Sequence, residues 1–289
     1  MREIVWRIDD TATSREVEPN DPASARRRLE AGNRAFAELF DEGGLVKRIM
    51  PLSPADLGVG ENGVAPTQRP FATLLSCADA RVPVELLLNQ RANDLFVVRV
   101  AGGVLSEAAL GSLDFALNNL ATMKLIAVLG HTGCGAVGAA VDTYLDPPSY
   151  LDLTHSRPLL ALVQNLLGSV RIADHALHQV HGTAVVHRPG YREALNDLAV
   201  VASAAASASA LTGRIARRAD TDEPAVGAVF GVYDLVSRSI GVPGPATHWV
   251  PGLVDAPKDG TSLMAMLDEI AFGPFLTDLL EGKGDAAVR

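Results

Sequence analysis

The chain has 289 residues, 48 % of them hydrophobic and 20 % charged, which is enough to bury a sizeable core and excludes wholesale disorder. A formal net charge of -9 argues against nucleic acid or an anionic membrane surface as the partner and for a small molecule. Charges interrupt the opening MREIVWRIDD, no run of about 18 uninterrupted apolar residues occurs, and the two cysteines make no disulfide scaffold, so a cytoplasmic protein is expected.

In chain order, residues 1–20 are polar and mixed in sign and are expected to form a mobile arm. From Asp21 to about residue 42, a proline near the start and Leu29, Phe36 and Leu39 at helical spacing predict an amphipathic helix, with Arg26, Arg27 and Arg28 on its solvated face. A loop rich in glycine and proline, GVGENGVAPTQRP, leads into FATLLSC, the short apolar run of a strand buried on both faces. That strand delivers Cys77 at its end. DLFVVRVAGG repeats the pattern, an apolar run closed by glycines that allow a sharp turn. In SEAALGSLDFALNNLA, Ser106 is placed to cap a helix whose stripe is Leu110, Leu113, Leu117 and Leu120, and KLIAVLG then reads as a third strand. This alternation implies an α/β domain, a largely parallel sheet covered by helices, with its site beyond the carboxyl ends of the strands.

GCGAVGAAVDTYL opens a further helix. Residues 146–191 are expected to be an insertion within a single domain spanning 1–289. Its His175, His178 and His181 recur at helical spacing, as a solvated face or, alternatively, a proton relay or an adventitious metal site. YREALNDLAVVASAAASASALTGRIARR predicts one long helix whose small side chains suit close packing. VGAVFGVYDLVSRSIGVP reads as a last strand or hairpin.

Three side chains carry metal chemistry. Zinc accepts thiolate and imidazole, four ligands in structural sites and three plus an open position in catalytic ones. His131 and Cys134 share the tight GHTGCG bend, and Cys77 ends the neighbouring strand. A helix starting near Cys134 favours its thiolate. The alternatives are two inert core cysteines, a disulfide between them, or a cysteine nucleophile with His131 as base. Asp79 and Arg81 follow Cys77 closely: Asp79 can approach the same ion, and Arg81 can hold it back by a bidentate contact. Because two thiolates already neutralise a dication, Asp79 is expected to bind only weakly.

SCADARV followed by GHTGCGAV resembles the signature of the β-class carbonic anhydrases. LEAGNRAF, NDLFVVRVAGG and VGAVFGVYDL are similar to further segments of that family, so that the resemblance extends over two thirds of the chain. It implies a mixed, mostly parallel β-sheet flanked by helices with an N-terminal helical arm, and assembly as a homodimer or larger homo-oligomer. It also implies zinc on Cys77, His131 and Cys134, with Asp79 and Arg81 as the dyad and Asp79 as a possible fourth ligand. Gln68 falls where the family places a substrate-binding glutamine across the dimer interface. Val82, Phe115 and Gly135 are assigned to the substrate's surroundings, Val82 and Phe115 with Leu105 as a dry pocket. The chain departs from the family at Val100 and Gly103, where asparagines are common. The activity implied is zinc-dependent hydration of carbon dioxide to bicarbonate, favoured by alkaline pH. Hydrolysis of carbonyl sulfide or carbon disulfide, and a zinc or bicarbonate-binding module without turnover, stand as alternatives.

Overall fold

The computed structural model describes residues 2–8, 18–41, 46–57, 67–217 and 226–283. Most of the expected Gly/Pro loop, residues 58–66, lies outside the described residues. Strand β1 (Arg2–Ile8) pairs in parallel with β2 (Val46–Leu52), the two joined through helix α1 (Pro22–Asp41). Of the arm expected over 1–20, residues 2–8 form a strand, and residues 9–17 lie outside the described residues. The β-branched and aromatic residues of REIVWRI suit a pleated surface even with charges between them.

The main sheet begins with β3 (Ala72–Ser76), followed by α2 (Val84–Leu87), β4 (Leu95–Arg99), α3 (Glu107–Asn119) and β5 (Leu125–His131). Ser106 accepts a hydrogen bond from the Ala109 amide and so caps α3. After α4 (Gly135–Leu145), α5 (Ser149–Leu153), α6 (Arg157–His181) and α7 (Tyr191–Ala216), β6 (Gly227–Tyr233) adds in parallel to β5. The short strands β7 (Ile240–Val242), β8 (Val250–Pro251) and β9 (Val254–Asp255) complete an antiparallel edge. Strand order is β4-β3-β5-β6-β7-β8, with β9 also on β6. The sheet is mixed and mostly parallel, flanked by helices.

Alternation along each strand divides the core. Leu75, Ile126, Val128 and Phe230 point to the face covered by α3, α4, α6 and α7. Leu74, Ala127, Leu129 and Val229 point to the face covered by α1 and α2. The residues expected to be an insertion are integral to the first face, because Val163, Leu166, Val170, Ala173 and Leu177 of α6 are fully buried there. Of its three histidines only His175 is a solvated one; His178 lies 3.4 Å from Asp174, and His181 reaches the Ala271 carbonyl at 2.8 Å. Helix α7 is long and apolar enough to cross a membrane by length and composition, yet 56 % of its most apolar window is buried.

Besides β8 and β9, two helices lie beyond the expected last strand, α8 (Gly260–Phe272) and α9 (Pro274–Leu280), which seal the same face as α6 and α7. Asp259 and Ser262 form a capping box at the start of α8, a local signal legible in the sequence.

The chain leaves β3 toward β4 on one side and leaves β5 toward β6 on the other. The carboxyl ends of β3 and β5 are therefore a topological switch point, where the outgoing loops diverge and open a crevice.

Candidate metal centre

Cys77 follows β3 by one residue, His131 ends β5 and Cys134 is the N-cap residue of α4. All three are buried, and their ligand atoms lie within 4.8 Å of one another. The sulfurs are 3.9 Å apart, and both cysteines are free thiols with no disulfide. A cavity of about 10 Å³ borders the three side chains, floored by Val200, Ser203 and Ala204 of α7. That volume corresponds to one water-sized occupant.

The donor set fits a cation. His131 Nδ1 lies 3.1 Å from the Thr132 carbonyl, and a proton donated there leaves Nε2 with the lone pair. Nε2 is buried and has no hydrogen-bond partner among the described residues. Such an atom is costly unless something accepts its lone pair. The contact between the sulfurs favours one thiolate: it holds the Cys77 thiol well below its usual range and, with burial, pushes Cys134 up. The Asp79 and Gly102 amides donate to the Cys77 sulfur at 3.4 and 3.2 Å and further favour its thiolate. A dication bound by both sulfurs would remove the remaining proton as well.

The glycine after the RVA segment is what brings that second amide in. Gly102 has φ of +69°, and a Cβ there would stand 3.0 Å from Leu166 Cδ1. Only glycine combines that backbone with that space. Gly103 is also in the left-handed region, at φ of +61°. At Val100 the main chain continues the β3–β4 ladder: its amide donates to the Ser76 carbonyl at 3.0 Å and its carbonyl accepts from the Ala78 amide at 3.2 Å.

Asp79 and Arg81 form a closed pair on the rim. Arg81 donates from Nε to Oδ1 at 3.0 Å and from Nη2 to Oδ2 at 2.8 Å, and its backbone amide adds a third bond at 2.8 Å. These bonds hold the Asp79 carboxyl well below the usual carboxylate range, and the same contact raises Arg81. Asp79 Oδ2 lies 3.7 Å from His131 Nε2, beside the three ligand atoms. Both oxygens are thus engaged by Arg81.

The other assigned residues are placed differently. Gly135 is the exposed first residue of α4, next to Cys134. Val82 packs on the α1 face of the sheet and Leu105 on the opposite face, while Phe115 is half exposed and stacks on Phe96 with ring centroids 6.2 Å apart. Within one chain the sheet separates Val82 from Leu105. Gln68 is exposed at the amino end of β3. Its neighbours are tied to Asn93 there, through Arg69 N to Asn93 Oδ1 at 2.9 Å and Asn93 Nδ2 to the Thr67 carbonyl at 3.2 Å. Cys77 lies just past the other end of this five-residue strand, whose own length is roughly 16 Å.

Residues that sequence reasoning passed over hold the turns. Arg99 donates to the carbonyls of Cys77 and Asp79 at 3.0 and 2.6 Å and braces the first turn. A cation at the end of the apolar run LFVV was its available signal. Asp197 of α7 accepts from the Gly133 amide at 2.8 Å, and Thr132 Oγ1 donates to Asp234 at 3.2 Å while accepting from the Leu235 amide at 3.1 Å. Nothing local marks Asp197 or Asp234 for these roles.

A family model described as carbonic anhydrase matches residues 72–230. Carbonic anhydrase 2 of Mycobacterium tuberculosis is 34 % identical over 173 residues, covering 58 % of this chain and 78 % of that protein. The carbon disulfide hydrolase of Saccharolobus solfataricus is 38 % identical over 64 residues, 22 % of this chain and 31 % of its own length. Among solved structures, the β-carbonic anhydrase CafA of Aspergillus fumigatus is 20 % identical with a TM-score of 0.39, covering 70 % of this chain and 84 % of that one.

Proposed function

The chain belongs to the carbonic anhydrase family, and from that premise we propose that it hydrates carbon dioxide to bicarbonate and a proton, with Zn²⁺ held by Cys77, His131 and Cys134. The observation that carries this is the buried His131 Nε2, without a partner among the described residues, beside two sulfurs 3.9 Å apart. When bound, zinc supplies a hydroxide nucleophile near neutral pH; water acidified to a pKa of about 7 by zinc in carbonic anhydrase is the general precedent, from a site of three histidines. Two thiolates donate more charge than two imidazoles, so activity here rises toward alkaline pH.

The remaining work belongs to the protein. Arg81 keeps the Asp79 carboxylate ionised and turned so that its oxygens stay paired. Asp79 Oδ2, near the ligand atoms, accepts the hydrogen of the attacking oxygen and aims its lone pair at the carbon. Arg99 fixes the carbonyls on either side of that turn. In one chain Gln68 sits at the wrong end of β3 to meet substrate at Cys77, so its proposed role is to serve the site of a second copy, making a homodimer the smallest complete unit.

Stopped-flow hydration of carbon dioxide by the purified full chain, with zinc analysis and carbon disulfide hydrolysis measured in parallel, tests the reading. One zinc per chain and hydration that disappears on chelation are expected. Carbon disulfide turnover without carbon dioxide hydration transfers the site to the sulfur substrate. Sedimentation that finds a fully active monomer removes Gln68 from the site.

A further inference from the structure

The opposite ends of the same strands enclose a second, larger cavity. Its volume is about 320 Å³, at the lower end of the range of small-molecule sites. It lies where β3, β4 and β5 begin: Arg69 and Phe71 precede β3, Arg91 and Asp94 precede β4, and Lys124 precedes β5. Backbone bonds tie these starts together, from the Phe71 amide to the Asp94 carbonyl at 3.0 Å and from the Lys124 amide to the Phe71 carbonyl at 2.8 Å.

The described residues that line this cavity carry a charge opposite to that of the protein. Arg28, Arg69, Arg91 and Lys124 line it against the two carboxylates Glu18 and Asp94, on a chain whose formal net charge is -9. Arg28 is held rigid: Nη2 donates to Asp94 at 2.7 Å, Nε donates to Gln90 at 3.0 Å, and the guanidinium lies 4.4 Å from the Phe71 ring centroid. Arg69 reaches Glu18 at 3.3 Å. The Lys124 ammonium, half-buried, has no hydrogen-bond or ion-pair partner among the described residues. Cations preorganised in this way suit an oxyanion, arginine as a planar fork and lysine as a point charge.

We propose that this cavity is a binding site for a small phosphomonoester. Two features set that class. Among the described lining residues the cations outnumber the carboxylates by two, which matches a phosphomonoester, carrying about -1.5 to -2 at pH 7, better than the single charge of bicarbonate or a carboxylate. The volume exceeds what a bare ion fills, and Pro19, Phe71 and Ala121 supply an apolar wall for an organic body. The ligand approaches β3 and β5 at their amino ends, whereas Cys77, His131 and Cys134 lie at the carboxyl ends. Within one chain the two sites are therefore separable by mutation at Lys124 and Arg91, and this assignment does not depend on which reaction the metal centre performs.

Isothermal titration of the full zinc-loaded chain with glycerol 3-phosphate, inorganic phosphate and bicarbonate, at fixed ionic strength in a phosphate-free buffer, decides the matter. Saturable binding of glycerol 3-phosphate with a Kd below about 1 mM is expected, weakened about 10-fold or more in Lys124→Gln and in Arg91→Gln. Zinc content, thermal unfolding and carbon dioxide hydration of Lys124→Gln should match the unaltered protein, because its ammonium makes no contact that the fold uses. Inorganic phosphate binding as tightly as the ester supports the oxyanion site and narrows the ligand to its phosphate. Three outcomes overturn the proposal: no binding up to about 10 mM, affinity undiminished in Lys124→Gln, which would place the anion elsewhere, or bicarbonate binding as tightly as the ester.

Discussion

The turn after β3 and the turn after β5 both bring sulfur to the centre, but they are held from different distances along the chain. Around Cys77, the supporting groups are the Asp79 amide, the Asp79–Arg81 pair two residues on, and Arg99 and Gly102 from the adjacent strand end. Around His131 and Cys134, the anchors are Asp197 on α7 and Asp234 after β6, 64 and 102 positions further along. Both turns are braced by a neighbouring parallel strand end, the first by Arg99 and Gly102 after β4 and the second by Asp234 after β6, but only the β5 turn also takes an acceptor from the helical layer, Asp197. The first turn should survive loosening of the helical layer; the second should not.

The largest expected effect erases the difference, because ligation is shared even where support is not. Cys77→Ser and Cys134→Ser should each abolish stoichiometric zinc and reduce hydration by at least about 10³-fold. Zinc analysis with stopped-flow assays checks this, and intact zinc in either variant would remove that cysteine from the centre. Next is Arg81→Ala, which disturbs only the first turn. With Asp79 released from its two side-chain bonds, turnover should drop about 10- to 100-fold with zinc content unchanged. Equal activity in the variant at every pH would reduce the pair to a surface contact.

Asp197→Ala tests the remote support. Zinc affinity should fall about 10-fold, while activity at saturating zinc stays near that of the unaltered protein. Competition with a chromophoric chelator measures the affinity, and Asp197→Asn, which keeps an acceptor, should recover most of it. Arg99→Lys, in the other turn, should leave zinc affinity closer to normal if the contrast is real.

The smallest effect concerns pH. Asp79 has its carboxyl lowered in the fold, so its pairing contributes stability above the ordinary carboxylate range and loses it as pH falls through the lowered folded value. Arg81 is half exposed, so solvent screening keeps the contribution to about 1 kcal/mol or less. In urea unfolding of the metal-free protein, Asp79→Asn should be less stable than the unaltered chain at pH 7, and the gap should close on acidification. A gap that widens toward acid contradicts the assigned pairing.

Much of this was legible from local pattern. The runs FATLLSC and KLIAVLG, the cap at Ser106 and the GHTGCG bend determined three strand and helix boundaries within a residue or so, since apolar period and cap chemistry act between near neighbours. The cluster itself followed, because Cys77 and His131 each stand at a strand end and parallel pairing places such ends side by side. The β1 strand was obscured because its charges alternate with β-branched and aromatic residues, and it gains its pairing only when β2 returns beside it. The separation of Val82 from Leu105 was likewise invisible, since strand parity decides the face only once the sheet exists.

By itself, then, the sequence determined the strand–helix alternation, the strand-end positions of the three side chains of the candidate metal site and the Asp79–Arg81 pair, all of which depend on local pattern. The tertiary structure alone decided that Asp197 and Asp234 would hold the second turn, that α6 would be core, and that four cations from α1 and the starts of three strands would line one cavity. The physical reason is that a hydrogen bond or a shared field between distant residues leaves no period, cap or spacing in the chain; it arises from the packing that brings them within a few ångströms.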